Sequence, residues 1–394
     1  MRGFFKILRY LFFLGLGCFC AALVFEVYLR AVEQTYTWKA MPVAEVSLYG
    51  PDIQTAYAHR TDVSGIWTTE NRARVSTTNF GVRANGLEEE NVVKDHDVLK
   101  IGVVGDSIVE ALQVNDDETF SAILEQKLRT SGKQARIYNL GLAGATPVIK
   151  ALRAEKYAKD FDLDLIIVIE DPYSISQTLG SSDGGRLPHY KINQNGDVII
   201  DQTFRETRGF QFRNSDLGGL VYFFLNNSKL LTVLNTRFNR GIFEELKQQV
   251  EQVPDKTKPK IKDLYKCDHE SISILADINE AQNRKTLKML GVFAKQLLHI
   301  ETEHETEIIF AFYNTWPDCP SSLENVANEN IRKLLEAQNI EFLNLKSEIR
   351  DVLPGAYDLN HLRGFGASQG KGHLNVKGHE IFSQALGRYI MSHY

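Results

Sequence analysis

The sequence predicts an α/β protein, a three-layer α/β/α sandwich on a five-stranded parallel sheet of flavodoxin-like type, with an N-terminal transmembrane helix. Two observations predict the sandwich. Apolar runs recur at the spacing of βαβ units, and helical patterns separate them. The runs are almost continuously apolar, which is typical of strands covered on both faces. The predicted strands are 98–104, 136–139, 163–169, 307–313 and 340–345.

The helices that cover this sheet are predicted from apolar residues at helical spacing. Pro147 suits the first turn of one of them, where its missing N–H costs nothing. The predicted helices are 119–129, 147–159, 274–302, 322–338 and 376–392. They lie between or after the strands, as a doubly covered parallel sheet requires.

Composition limits the class of protein. The chain has 394 residues, of which 43% are hydrophobic, so it can bury a large core. Its net charge of -5 excludes the basic balance typical of nucleic-acid-binding proteins, and we expect no nucleic-acid partner.

Residues 1–30 are predicted to be a membrane anchor. Residues 10–25 are uncharged, and three cations precede them, Arg2, Lys6 and Arg9. Basic residues before an apolar segment keep the N-terminus in the cytoplasm, which would put the remaining chain on the extracytoplasmic (periplasmic) side. A cleaved signal peptide, with cleavage after Ala22, is the alternative. The helical pattern continues through Ala31, which favours the uncleaved anchor.

The rest of the chain divides into two parts on its pattern. Residues 31–97 are predicted to be a stalk and pre-domain segment, with the stalk over 31–65. Residues 98–394 are predicted to be the α/β domain, interrupted at about 175–270 by an insertion. Within the insertion, Asn195-Gly196 between two short β-like runs predicts a hairpin.

A serine and a histidine carry the chemistry that the sequence predicts. Gly105-Asp106-Ser107 follows the first strand, where a parallel sheet hands the chain to a helix and binds ligands. Ser107 is a candidate nucleophile whose backbone N–H suits a developing oxyanion, and Asp106 can tie the turn. His373 is a candidate base, because the ordinary pKa of histidine is near 6.5. The alternative is that Gly-Asp-Ser is simply a strand-to-helix turn.

These residues resemble the sequence blocks of the SGNH, or GDSL, hydrolase superfamily. Gly105-Asp106-Ser107 is similar to the first block, residues 139–144 (Asn-Leu-Gly-Leu-Ala-Gly) to the second, and residues 372–375 (Gly-His-Leu-Asn) to the last. The resemblance implies Ser107 as nucleophile, His373 as base, and the N–H groups of Ser107 and Gly144 as the oxyanion hole. It also implies no cofactor. Residues 79–83 are similar to a segment ahead of the first block in membrane-anchored members.

The chain departs from the family pattern at two blocks. The third block usually supplies an oxyanion asparagine, but here strand 163–169 leads into Glu170 and Asp171. The last block usually has an aspartate three residues before the histidine, and here that residue is Gly370. The third triad member is therefore open, and the candidates by loop position are Asp171, Asp318 and Asp358. Asn314 and Asp318 follow the fourth strand and are candidates for lining the site.

The resemblance and the anchor together predict an esterase that removes O-acyl (acetyl) groups from envelope or exported glycans. An O-acyltransferase of a polysaccharide system and a catalytically impaired glycan-binding protein are the alternatives. We expect no metal, although residues 267–270 (Cys-Asp-His-Glu) superficially resemble ligands. Cys267 and Cys319 are predicted either to form a disulfide or to stay free.

Overall fold

The computed structural model describes residues 2–35, 48–86, 98–176, 186–234, 269–277, 281–313, 321–353 and 358–394. The chain divides into two compact units. One contains residues 1–47 and 212–258, and the other contains residues 48–211 and 259–394. The predicted site residues belong to the second unit. Cys267 and Cys319 lie outside the described residues.

A parallel sheet is the centre of the second unit. Eleven strands occur in the described part of the chain: β1 (Tyr49–Asp52), β2 (Ala56–His59), β3 (Ser64–Trp67), β4 (Ala73–Ser76), β5 (Leu99–Val104), β6 (Ala135–Asn139), β7 (Leu165–Glu170), β8 (His189–Ile192), β9 (Val198–Asp201), β10 (Glu307–Phe312) and β11 (Glu341–Asn344). Five of them form the sheet, in the order β11-β10-β7-β5-β6, and all neighbours are parallel. The predicted fold class is confirmed.

Helices cover both faces of this sheet. The described helices of the unit are α2 (Ser107–Glu110), α3 (Phe120–Thr130), α4 (Pro147–Phe161), α5 (Pro172–Ser176), α8 (His269–Ala276), α9 (Ala281–His304), α10 (Ser321–Glu336), α11 (Leu345–Val352) and α12 (Val376–His393). The boundary between the units falls within α6 (Arg208–Arg213), and α7 (Asp216–Asn227) belongs to the first unit. Two apolar clusters result. One gathers side chains of α4, α8, α9 and α10, and the other those of α3, α11 and α12.

The central strand β7 shows why its sequence is apolar throughout. Ile166 and Val168 belong to the cluster on one face, whereas Leu165, Ile167 and Ile169 belong to the cluster on the other. All are buried. Successive side chains of a strand point to opposite faces, so a sheet covered twice needs apolar residues at every position.

Two expectations about the second unit need correction. The predicted stalk contains the antiparallel pair β1–β2 and the start of the pair β3–β4. These strands have four residues each and mixed burial, so they carry no apolar run. The single helix expected over 274–302 is two helices, because α8 ends at Ala276 and α9 begins at Ala281. The hairpin predicted around Asn195-Gly196 is confirmed as β8–β9.

The first unit contains the long helix α1 (Arg2–Thr35), α7 and a further helical stretch at residues 229–234. Within the described residues, one helix is long and apolar enough to cross a membrane, at Phe4–Ala31. Length and composition alone also fit a signal sequence at this position.

Candidate active site

The turn after β5 presents Ser107 at the carboxyl edge of the sheet. Asp106 caps α2, because its carboxylate accepts a hydrogen bond from the Ile108 N–H at 2.9 Å. This is the structural role expected for it. Gly105 is required at the bend, since a Cβ there would lie 2.2 Å from Cγ2 of Val109. Ser107 is thus the first residue of α2, held by a rigid turn.

The loop before α12 brings His373 to this serine. The His373 carbonyl accepts from the Gly364 N–H at 2.9 Å, and the Asn375 N–H donates to the Leu362 carbonyl at 3.0 Å, so the loop is fixed on both sides of the histidine. Nε2 of His373 lies 2.8 Å from Oγ of Ser107. Two side chains that are 266 positions apart along the chain therefore share a hydrogen bond.

The carboxylate against the histidine is Glu70, in the turn between β3 and β4. Glu70 Oε1 lies 2.8 Å from Nδ1 of His373, and Glu70 Oε2 accepts from the His373 backbone N–H at 3.0 Å. Gly372 permits this approach, because a Cβ at that position would lie 2.5 Å from Glu70 Oε2. Both carboxylate oxygens are used to hold one residue.

Electrostatics fix the direction of this hydrogen-bond chain. Partial burial alone would raise the pKa of Glu70, but the two hydrogen bonds from His373 outweigh it and the pKa is lowered. Glu70 is therefore an acceptor at neutral pH, so Nδ1 of His373 carries the proton that bonds to it. Nε2 is left as the acceptor for the Ser107 hydroxyl. This is the tautomer that a general base needs.

The predicted second block forms a loop that is fastened next to the serine turn. The Leu142 N–H donates to the Gly105 carbonyl at 3.0 Å. The Ala143 N–H donates to Glu110 Oε2 at 3.0 Å, and the Ala143 carbonyl accepts from the Tyr57 hydroxyl. Gly144 follows with a φ of +72°, a backbone conformation that glycine adopts without strain. The candidate oxyanion loop is thus supported from two sides.

A buried network stabilises that support. The Glu110 side chain has no exposed surface, and its Oε1 is bonded to Nε2 of His59 at 2.5 Å and to the Tyr49 hydroxyl at 2.6 Å. Burial lowers the pKa of His59 and raises that of Tyr49. Strands β1 and β2 supply these partners. The segment predicted to be a stalk therefore buttresses the loop that carries Gly144.

Asp171 lies at the carboxyl end of β7, next to β5 in the sheet, and is one of the predicted candidates for the third triad member. Its Oδ1 accepts from the Ser174 N–H at 2.9 Å, which caps α5. Burial and the neighbouring Asp106 raise the pKa of Asp171 to about 7, against the opposing attraction of Lys150. The carboxylate that contacts His373 is Glu70 rather than Asp171.

The remaining predicted residues have other positions. Asn314 and Asp318 lie outside the described residues. Asp358 accepts from the Asn360 N–H at 2.9 Å and caps a short 3-10 turn. A second histidine of this region, His379 on α12, is not among the predicted site residues; it is buried, and its Nδ1 accepts from the Phe120 N–H at 3.2 Å, which is a structural role. Among the described residues, no group of three or more His, Cys, Asp or Glu side chains is placed to hold a metal ion.

A pocket of about 640 Å³ is lined by residues that neighbour Glu70 and His373 along the chain. Asn71, which follows Glu70, and Asn375, which lies two residues after His373, contribute to its wall. Its lining is mostly polar side chains and glycine backbone, with one aromatic ring: Asn71, His361, Gly364, Phe365, Gly366, Gln369, Asn375, Val376 and Lys377. Such a surface offers hydrogen bonds and one stacking face.

Comparison with known proteins gave similarities among solved structures. No protein-family model matches the chain, and the search of curated proteins found no match. The chain is similar to the crystal structure of TesA, at 8% identity and a TM-score of 0.38 over 74% of this chain and 98% of that one. It is also similar to the acetylxylan esterase Axe2 from Geobacillus stearothermophilus, at 13% identity and a TM-score of 0.34 over 74% and 93%. A family 3 carbohydrate esterase of Clostridium thermocellum is similar at 12% identity, with a TM-score of 0.35 over 75% and 96%. Likeness at this level assigns no activity to the chain.

Proposed function

We propose that this protein is a serine esterase of the SGNH/GDSL type that hydrolyses O-acyl esters. The observation that carries the proposal is the continuous hydrogen-bond chain from Ser107 Oγ through the His373 ring to Glu70. A hydroxyl, an imidazole and a carboxylate in this order are the arrangement that activates a serine for acyl transfer.

Acylation begins when Ser107 Oγ attacks the ester carbonyl carbon while His373 Nε2 takes the hydroxyl proton. Glu70 stabilises the imidazolium that forms. The N–H groups of Ser107 and Gly144 stabilise the oxyanion, and each such donor contributes about 10²–10³-fold in rate. When the C–O bond breaks, His373 returns the proton to the leaving alcohol, and the acyl group stays on Ser107 as an ester.

Deacylation repeats these roles with water. His373 Nε2 takes a proton from the water molecule as its oxygen attacks the acyl carbon, and the same N–H groups hold the second oxyanion. The proton then passes to Ser107 Oγ as the acyl group leaves. The products are a carboxylic acid and the free serine, so no cofactor is consumed.

The pocket beside His373 supports a hydroxyl-rich substrate. Polar side chains such as that of Gln369 can bind sugar hydroxyls, and the Phe365 ring can stack on a sugar face. We infer that the substrate is an O-acyl, such as acetyl, ester of an envelope or exported glycan. The helix α1, with its basic flank, supports a location on the extracytoplasmic side of a membrane with α1 as the anchor.

The test is hydrolysis of p-nitrophenyl acetate by the full chain in detergent, together with covalent labelling by a fluorophosphonate. Ser107→Ala is expected to abolish both, because the nucleophile is removed. Ser347→Ala, an exposed serine on α11, is the matched control and should keep both. Equal rates for Ser107→Ala and the unchanged protein would exclude Ser107 as the nucleophile.

Transfer to a sugar hydroxyl is the second candidate function, because the polar pocket could hold an acceptor in place of water. Mass spectrometry with an acyl donor and an oligosaccharide acceptor separates the two. More acylated acceptor than free acid would favour the transferase. Absence of any fluorophosphonate adduct in folded protein would instead favour a catalytically impaired glycan-binding protein.

A further inference from the structure

Helix α7 carries an apolar stripe that no described part of the protein covers. Leu217, Leu220, Val221 and Phe224 recur at the spacing that puts side chains on one face of a helix, and all are exposed. Leu217 is 62% exposed and Phe224 is 54% exposed. In a water-soluble helix this stripe would face a core. Phe223, also exposed, widens it.

A polar clamp binds the end of α7 to α1. Glu26 accepts from the N–H groups of Lys229 at 3.0 Å and Leu230 at 2.9 Å, so it caps the helical residues 229–234. Arg30 donates to the carbonyl of Asn227, the last residue of α7, at 2.6 Å and to Glu26 at 2.7 Å. One ion pair of α1 therefore satisfies the backbone groups at the break between the two helical pieces.

The position of this clamp along α1 is informative. Glu26 and Arg30 lie near the end of the apolar stretch Phe4–Ala31, and the side chains of that stretch face no protein core. A helix of this composition needs lipid around it. A segment bound at the end of its apolar stretch lies at the level of the membrane surface.

We propose that α7 and residues 229–234 form a second membrane-binding element, with the stripe of α7 in the acyl chains near the lipid headgroups. Lipid is the occupant favoured here because the stripe is joined to a helix whose own side chains already require lipid. The 12 residues of α7 span about 18 Å, too short to cross a bilayer core but suited to lying in its interface. Arg213 and Lys229 flank the stripe, as basic residues do in interfacial helices. The proposal is independent of the esterase chemistry and depends on retention of α1.

The experiment measures the depth of single fluorescent labels. The four native cysteines are changed to serine, and the full chain carries one cysteine labelled with NBD at Phe224→Cys, Val24→Cys or Ser347→Cys. Each protein is reconstituted into vesicles of phosphatidylethanolamine and phosphatidylglycerol with or without doxyl-labelled lipid. Val24 reports the α1 span, and Ser347 on α11 reports water.

Emission from position 224 is expected to be blue-shifted and quenched by the doxyl lipid to an extent comparable with position 24, while position 347 is not quenched. Quenching at 24 without quenching at 224 overturns the proposal. This outcome overturns the proposal in both of its forms: the dye at position 224 is quenched by iodide from the water, or it is shielded from iodide by a second copy of the protein. The unchanged protein gives an independent readout through a membrane-restricted diazirine. Peptides covering 216–227 should be labelled with those of α1, and labelling of α1 alone would contradict the proposal.

Discussion

Glu70 has an unfavourable backbone conformation at the position where it contacts His373, the proposed base. Its φ is +66°, in the left-handed region that a residue with a side chain enters at a cost of about 1–3 kcal/mol. The conformation directs both carboxylate oxygens at His373. The two hydrogen bonds to His373 offset the cost of this conformation. The carboxylate can approach because Gly372 has no side chain.

Replacing Glu70 by Gln is expected to lower kcat by about 10²–10⁴-fold with little change in KM, because an amide neither fixes the Nδ1–H tautomer nor stabilises the imidazolium. Steady-state hydrolysis of p-nitrophenyl acetate measures this. Glu380→Gln, a half-buried residue of α12 that pairs with Lys377, is the matched control and should be unchanged. A Glu70→Gln protein with unaltered kcat would exclude Glu70 from the triad.

The raised pKa of Asp171 predicts that the rate of ester hydrolysis depends on pH. With a pKa of about 7, raised by burial, by Asp106 and by Glu170 against the effect of Lys150, it is mostly neutral in mild acid and ionised above pH 7. Asp171 follows β7, whose neighbour β5 leads to Ser107, and in the proposed mechanism an ionised carboxylate at this edge of the sheet would oppose the oxyanion. The rate is therefore expected to fall as pH rises above 7 in the unchanged protein, and this loss should be absent in Asp171→Asn.

Measurement of kcat from pH 5 to 9 for both proteins checks this expectation, with Asp358→Asn as the control on an exposed turn. Because the native state holds this proton more tightly than the unfolded state, stability should also fall as pH rises between about 4 and 7, where unfolded Asp171 is already ionised. Identical pH profiles for the unchanged protein and Asp171→Asn would rule out this role.

The pair of strands β3–β4 owes its position to a few polar contacts. Buried Arg83 is paired with Asp116 and donates to the Val114 carbonyl at 3.1 Å. Asp116 Oδ1 in turn accepts from the Ser76 N–H of β4 at 3.0 Å. The turn itself is tied down by Asn71, which donates to the Gln113 carbonyl at 2.7 Å. Residues 113–116, which make these contacts, closely follow α2. The helix that begins at Ser107 and the turn that contains Glu70 are therefore fixed to the same segment.

Arg83→Met is expected to lower the free energy of unfolding by about 3–5 kcal/mol, because Asp116 then keeps a largely enclosed charge without its partner. It should also reduce kcat through movement of Glu70, while KM changes less. Chemical denaturation and steady-state kinetics measure the two effects. The double variant Arg83→Met with Asp116→Leu removes the unpaired charge and should recover part of the stability. A double variant as unstable as the sum of the singles would contradict the pairing.

The same elements explain what could be predicted from sequence. The longer strands of the central sheet carry nearly continuous apolar runs, and the serine turn and the histidine loop carry short motifs, so these features could be predicted. Glu70 was not, because it lies in a turn between two four-residue strands with mixed burial. Its contact with a residue 303 positions away depends on packing that no local pattern encodes.

At the scale of the whole molecule, the two units have different surfaces. The unit around the sheet buries its apolar side chains in two large clusters, whereas the large apolar side chains of α1 and α7 are mostly exposed. Exposed apolar surface of this extent marks contact with a membrane or a partner.

The last prediction is that α1 is not cleaved from the protein and that it crosses the membrane with its N-terminus in the cytoplasm. The purified protein should have the intact mass of about 44.7 kDa, because the helical pattern continues past Ala22. Alkaline phosphatase fused after Tyr394 should be active in intact cells, since the cations before the apolar stretch keep the N-terminus in the cytoplasm. Changing Arg2, Lys6 and Arg9 to Gln should reduce that activity, while Lys346→Gln, which leaves the N-terminal flank unchanged, should not. A mass shortened at residue 22 would identify a signal peptide, and an inactive but stable fusion would reverse the topology.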